Sequence, residues 1–228
     1  MECRDERDDS ILHAYAMFAM ILIIIFLQVL NVRLFEVITH SESDPYNGFI
    51  TTKILMIMGC IVTILFARFT SIKLNLRYII KKGVMPNKEL IFTISIIVTV
   101  IVGMIITRLV VEQFNEDIAT RPFFGLYLSY HARWSYPITC FGQEVYMKVV
   151  MQENFTNLCG RKNKHLGILF TALFFGILHM GYNWYLAIGA FVFCIVTGYL
   201  YERYKSIWGL TVIHAVIGFL PRCFGFVG

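Results

Sequence analysis

Charge is scarce in this chain. Only 15% of its 228 residues are Asp, Glu, Lys or Arg, while 57% are hydrophobic, and the mean hydropathy is +0.66. A soluble domain carries about 25% charged residues to cover its surface. An ordinary cytosolic enzyme is therefore excluded, and lipid is the expected solvent. The same apolar content excludes intrinsic disorder and a collagen-like fibre. Long basic runs are missing as well. The net charge of +5, from 20 basic and 15 acidic residues, is too small and too scattered to argue for nucleic acid. It reads as the cytoplasmic-loop bias of a membrane protein. There is no repeat at a fixed period, so neither a solenoid nor an inverted-repeat transporter is expected. The six cysteines, at positions 3, 60, 140, 159, 194 and 223, contain no CxxC pair. Cys60, Cys140, Cys194 and Cys223 lie in or beside apolar runs, where cysteine behaves as a small hydrophobe rather than as half of a disulfide or a thiolate ligand.

What the chain has instead is apolar runs. A membrane helix needs about 20 mainly apolar residues. Leu12 to Val32 qualifies, and it lacks a small-x-small cleavage site, so it is expected to be retained rather than removed as a signal peptide. Asp44-Pro45-Tyr46-Asn47-Gly48 is turn chemistry. Further spans are expected over Ile54–Phe69, Leu90–Val111, Trp134–Phe155, Leu166–Met180, Trp184–Tyr201 and Ile207–Pro221. Residues 112–133 mix charges with aromatics and fit an interfacial amphipathic segment. The expectation is an all-α polytopic transmembrane helical bundle of about seven spans plus that segment. Residues 1–133 would form the amino-terminal helices and residues 134–222 the core that carries the chemistry, within one integral membrane domain. With the amino terminus inside, thirteen lysines and arginines fall in inner segments and six in outer ones. The positive-inside rule therefore puts that terminus in the cytoplasm.

Ionisable groups inside a bilayer cost a few kcal/mol each and by default suggest function. Glu144 sits within the fourth span, and Lys148 lies four residues later on the same helical face, able to pair with it. His179 falls late in the fifth span and His214 midway along the last. Gln143 precedes Glu144. The first three spans hold little that is comparable and read as packing. Bland readings stand beside the functional one. The Glu–Lys pair can be a structural bridge, and an intramembrane histidine can be a hydrogen-bonded packing residue. The functional readings are two histidines and a carboxylate holding zinc with a water, metal-free activation of water by a carboxylate and a histidine, and a proton relay.

Gln143-Glu144-Val145-Tyr146-Met147-Lys148 resembles the first motif, E-E-x-x-x-R, of the CAAX-protease and bacteriocin-processing (CPBP, or Abi) family of intramembrane proteases. Phe175-Gly176-Ile177-Leu178-His179 is similar to its second motif, F-x-x-x-H. His214-Ala215-Val216-Ile217-Gly218 resembles its third, H-x-x-x-N/D. Gly198-Tyr199-Leu200-Tyr201-Glu202-Arg203 followed by Ser206-Ile207-Trp208 looks like the family's G-Y-x-Y-E-R linker and the S-[IL]-W start of the last helix. The resemblance covers about residues 135 to 220, and its weight lies in the order and spacing of the motifs together.

The resemblance implies a membrane endopeptidase acting on a peptide or protein substrate, with its motifs serving one water-filled site. The first-motif acid and the second-motif histidine are thought to activate the attacking water, which places that role at Gln143 and His179. Glu144 and Lys148 would support the site by pairing. His214 and the residue at Gly218 would stabilise the oxyanion. A divalent metal such as zinc held by Glu144, His179 and His214, or metal-independent water activation, are equally implied. Three positions depart from the pattern. Gln143 replaces an acid, and an amide can hold a water but cannot take its proton. Lys148 replaces an arginine, keeping the charge and losing the bidentate fork. Gly218 replaces an Asn or Asp. The alternative implied by these departures is a catalytically degenerate relative that binds a peptide, as a scaffold or a bacteriocin self-immunity protein. The partners expected are a peptide or protein substrate and the lipid bilayer, and the short chain suggests a prokaryotic inner membrane.

Overall fold

A computed structural model of the chain describes residues 12–24, 26–27, 45–70, 87–125, 130–180 and 184–226. The basic stretch from Lys73 to Lys82 with Gly83 and Pro86, the loop over residues 28–44, and Cys3 lie outside the described residues. Among the described residues the protein is all-helical. The helices are α1 (Leu12–Ile24), α2 (Pro45–Phe69), α3 (Asn87–Val111), α4 (Glu116–Ala119), α5 (Tyr130–Glu144), α6 (Glu153–Cys159), α7 (Lys164–His179), α8 (Trp184–Tyr204) and α9 (Trp208–Cys223). A π-helical segment, Val145–Gln152, joins α5 to α6. By length and composition α3 and α8 each suffice to cross a membrane, and three shorter apolar helices accompany them at Leu12–Ile24, Ile57–Phe69 and Trp208–Cys223.

The turn expected at Asp44–Gly48 is instead the first turn of α2, which starts at Pro45. Proline suits the first helical position because its missing N–H would have had no intrahelical partner and its φ is already helical. The expected fourth span is also not one regular helix. Its α-helical bonding gives way after Glu144 to i→i+5 bonding for eight residues before α6 resumes.

The chain divides into two compact units that interleave along the sequence. One comprises Met1–Arg77 and Gly142–Lys205, the other Tyr78–Phe141 and Ser206–Gly228.

The first unit is built around Met17 and Ile21 of α1, Met147, Val150 and Met151 of the π segment, and Phe155, Ala172, Phe175, Ala190 and Cys194. Phe155 organises the aromatics. Phe18 meets it edge-on at 5.4 Å and Phe174 stacks on it at 5.7 Å. Three glycines set the helix spacing, as small residues do where the lipid is as apolar as the side chains. A β-carbon at Gly167 would strike Thr156, one at Gly176 would press on the Ala187 carbonyl at 3.2 Å, and one at Gly198 would lie 2.7 Å from Ile168 Cγ2.

The second unit packs α3 against α9. The buried stripe of α3 is polar at its ends: Glu89 and Thr93 near one, Arg108 near the other. Glu89 Oε1 accepts from the Gly209 backbone N–H at 3.3 Å, satisfying one of the orphan donors at the start of α9. Arg108 donates to the carbonyls of Ile118 at 2.6 Å and Arg121 at 2.8 Å. It thereby folds part of the expected interfacial segment, including the short α4 capped by Asn115, back on α3. Arg121 in turn donates to Gly225 at 2.9 Å, and Gly125 N–H to Cys223 O at 2.9 Å, tying the segment to the end of α9.

Candidate active site

The motif residues fall into two groups, one in each unit. In the first unit Gln143 is half-buried and Glu144 buried, at the last two positions of α5. Lys148 lies inside the π segment and is 1% exposed. An ammonium so enclosed needs acceptors, and it finds them on α8: Nζ donates to the Cys194 carbonyl at 3.1 Å and contacts Cys194 Sγ at 3.3 Å. A carbonyl of a facing helix is one partner of Lys148. Cys194 is thus more than a small hydrophobe, since it receives the cation of the first motif.

The same pattern continues along the two elements. Gln152 Nε2 donates to the Gly198 carbonyl at 3.0 Å and to Glu202 Oε1 at 3.2 Å. Lys205 Nζ bridges Glu153 Oε1 at 2.6 Å and Glu202 Oε1 at 3.0 Å, and it lies 4.9 Å from the Tyr201 ring centroid. Arg161 reaches Glu153 at 3.5 Å. Positions 148 and 152 on one side meet 194 and 198 on the other, both in steps of four. The wider i→i+5 turns bring positions four or five apart onto one face. The G-Y-x-Y-E-R linker is therefore a latch: Gly198 supplies close approach and a carbonyl, Tyr201 a buried ring, and Glu202 an acceptor. Sequence reasoning missed Gln152, Glu153, Glu202 and Lys205 as members of this network. The signal lay in the four-residue spacing of polar residues within an apolar stretch.

His179 is the last residue of α7 and half-buried. Its Nδ1 lies 2.8 Å from the Phe175 carbonyl, and the Phe175 ring meets the imidazole at 4.5 Å, edge-on. The four-residue spacing of F-x-x-x-H thus has a physical reading, in which the phenylalanine aligns the imidazole twice, through its ring and through its carbonyl.

In the second unit His214 is buried on α9, with the Tyr136 ring edge-on to it at 6.5 Å. Gly218 lies one turn further on, and the Tyr136 side chain fills the space beside it. Ser206 and Ile207, from the expected start of the last helix, are both buried, and Phe141 packs on Trp208 at 5.3 Å.

The family model described as type II CAAX prenyl endopeptidase Rce1-like matches residues 99–220. The matched stretch is more than half of the chain and spans all three motifs. The chain belongs to this family. No curated protein and no solved structure matches it. As a member of the CAAX-protease family it is membrane-associated and of the CAAX-protease intramembrane type, in keeping with the two helices long enough to cross a bilayer. Among the described residues of this family member, no group of three or more His, Cys, Asp or Glu side chains is placed to hold a metal ion. Cys140, Cys159, Cys194 and Cys223 form no disulfide with one another.

Proposed function

We propose that the protein is an intramembrane endopeptidase that hydrolyses a peptide bond in a membrane-associated peptide or protein. The observation that carries this reading is the bond between His179 Nδ1 and the Phe175 carbonyl. A carbonyl oxygen only accepts, so Nδ1 carries the proton and Nε2 is the basic nitrogen of the neutral ring. An imidazole fixed in this tautomer is a competent general base. The Gln143 amide holds the attacking water, and His179 Nε2 takes one of its protons as the water oxygen bonds to the scissile carbonyl carbon. The carbonyl oxygen becomes an oxyanion, for which the resemblance implies a hydrogen-bond donor from the third motif. The imidazolium then returns its proton to the leaving nitrogen as the C–N bond breaks. Glu144 and Lys148 hold the helix that presents Gln143. The family description supplies the first substrate to try, a prenylated CAAX-type peptide. We place the protein in a prokaryotic inner membrane, as about seven spans with a cytoplasmic amino terminus.

Gln143 itself favours a second reading, a degenerate relative that binds a peptide without cutting it, as a scaffold or self-immunity protein. The two readings separate in proteoliposomes offered a farnesylated CAAX peptide and a peptide library. A carboxylate at 143 adds general-base assistance worth about 10²- to 10⁴-fold. The wild type should therefore be slow, Gln143→Glu faster by about that factor, and His179→Ala inactive in both backgrounds. Saturable peptide binding with no hydrolysis by either protein would establish the second reading.

A further inference from the structure

The outward side of the α7–α8 hairpin is apolar up to one level and basic beyond it. On α8 the exposed stripe runs through Val192 and Val196 to Tyr199, and the next position on that face, Arg203, is exposed too. On α7 it runs the other way, through Phe170 and Leu166 to exposed His165 and Lys164 at the helix start and Lys162 just before it. The stripes meet where they change character: His165 Nδ1 lies 2.9 Å from the Tyr199 hydroxyl. Apolar side chains that give way to a tyrosine and then to cations mark a helix end at the boundary between hydrocarbon and headgroups.

The charges at this level do not cancel. Arg161, Lys162, Lys164, Arg203 and Lys205 stand against two carboxylates, Glu153 and Glu202. Both acids are engaged already, Glu153 by Lys205 at 2.6 Å and Arg161 at 3.5 Å, Glu202 by Lys205 at 3.0 Å and Gln152 at 3.2 Å. Lys162 and Lys164 enter no ion pair among the described residues. All of these residues belong to the first unit. We propose that this end of the hairpin is a docking surface for anionic phospholipid, with Lys162, Lys164 and Arg203 meeting the headgroup phosphate and the His165–Tyr199 contact holding the two helix ends at one depth. Basic residues immediately beyond a membrane helix attract anionic headgroups. The apolar stripes supply the other half of the fit, because a phospholipid carries acyl chains behind its phosphate and a soluble anion does not. Lipid capture here is independent of whether the protein cuts peptides.

Dioleoylphosphatidylglycerol titrated into the full chain in dodecyl maltoside, with the melting temperature as readout, tests it. The melting temperature should rise to saturation with this lipid, and should not rise with dioleoylphosphatidylcholine or with inorganic phosphate. High salt should weaken the effect. Each surface cation contributes about fivefold in affinity, so Lys162→Gln, Lys164→Gln and Arg203→Gln together should weaken apparent affinity by about 100-fold. These side chains are exposed, so without lipid the triple variant should melt as the wild type does. Lys162→Gln with Lys164→Gln keeps Arg203 over the Tyr204 ring at 5.5 Å and should lose about 25-fold, which serves if the triple variant is less stable. Equal affinities in wild type and both variants overturn the proposal, as does an equal response to phosphatidylcholine or to inorganic phosphate alone. The chain offers one rival occupant, the acids Glu2, Asp5, Glu6, Asp8 and Asp9. A response to phosphatidylglycerol that appears only after these are replaced by Gln and Asn gives the surface to that segment and overturns lipid docking.

Discussion

Helix α3 has a mean hydropathy of 2.7 over its most apolar 18 residues, of which 6% are buried; for α8 the figures are 1.7 and 33%. Both are long enough to cross a bilayer, and they use their surfaces differently. The middle of α3 offers Ile94, Val98, Val102 and Ile106 outward, and its internal contacts are polar anchors at the two ends, Glu89 and Arg108. Helix α8 carries its anchors along its length, and two of them, the carbonyls of Cys194 and Gly198, belong to the backbone. Hydropathy counts side chains and does not register a carbonyl used as an acceptor. A helix can therefore be apolar by composition and still carry a row of polar contacts at the candidate site.

The contrast breaks most visibly at Lys148. Lys148→Met removes one of two side-chain donors from the Cys194 carbonyl, leaving the Thr197 hydroxyl at 3.3 Å, and removes the cation from a buried network. The loss should be about 2–4 kcal/mol, read as a lower melting temperature in detergent and an earlier unfolding midpoint. An unchanged midpoint would make the Lys148 contact incidental. Gly198→Val tests the spacing that lets α8 offer its carbonyls. The new β-carbon would lie 2.7 Å from Ile168 Cγ2 and 3.1 Å from Gln152 Oε1, and overpacking of this kind costs about 1–3 kcal/mol. A variant as stable as the wild type would show that α8 can move away freely. On α3, Glu89→Ala removes a cap from α9 and should cost about 1 kcal/mol, measured in the same way. Val98→Ala, on the outward middle of α3, should change stability by less than about 0.5 kcal/mol. A larger loss there would mean that α3 has a protein neighbour along that face.

Much of the architecture was legible because the longer helices α3, α7 and α8 coincide with apolar runs. Leu90–Val111, Leu166–Met180 and Trp184–Tyr201 were expected within a few residues of α3, α7 and α8. The four-residue spacing of Phe175 and His179 was visible in the sequence, and the structure supplies a physical reason for it in the Phe175–His179 bond. The π segment was not legible, since Val145–Gln152 is apolar with no proline or glycine to mark a change of bonding. The start of α2 was missed because Pro45, Asn47 and Gly48 favour turns locally, and the helix overrides that preference. The network of Lys148, Gln152, Glu153 and Lys205 and the fit of Tyr136 to Gly218 were hidden for another reason. The pairs Lys148–Cys194, Gln152–Gly198, Glu153–Lys205 and Tyr136–Gly218 are each 46 or more residues apart, and local periodicity does not say which residues so far apart will meet.

Glu89 and Gly209 are 120 residues apart, and this separation has a consequence for the making of the protein. During synthesis α3 emerges long before α9 and carries a carboxylate whose helix partner does not yet exist. Everything from Gly142 to Lys205, which belongs to the other unit, must leave the ribosome first. The second unit can therefore close only after α9 has been synthesised, and a nascent chain stalled before residue 209 holds a half-built unit with a carboxylate waiting for its cap.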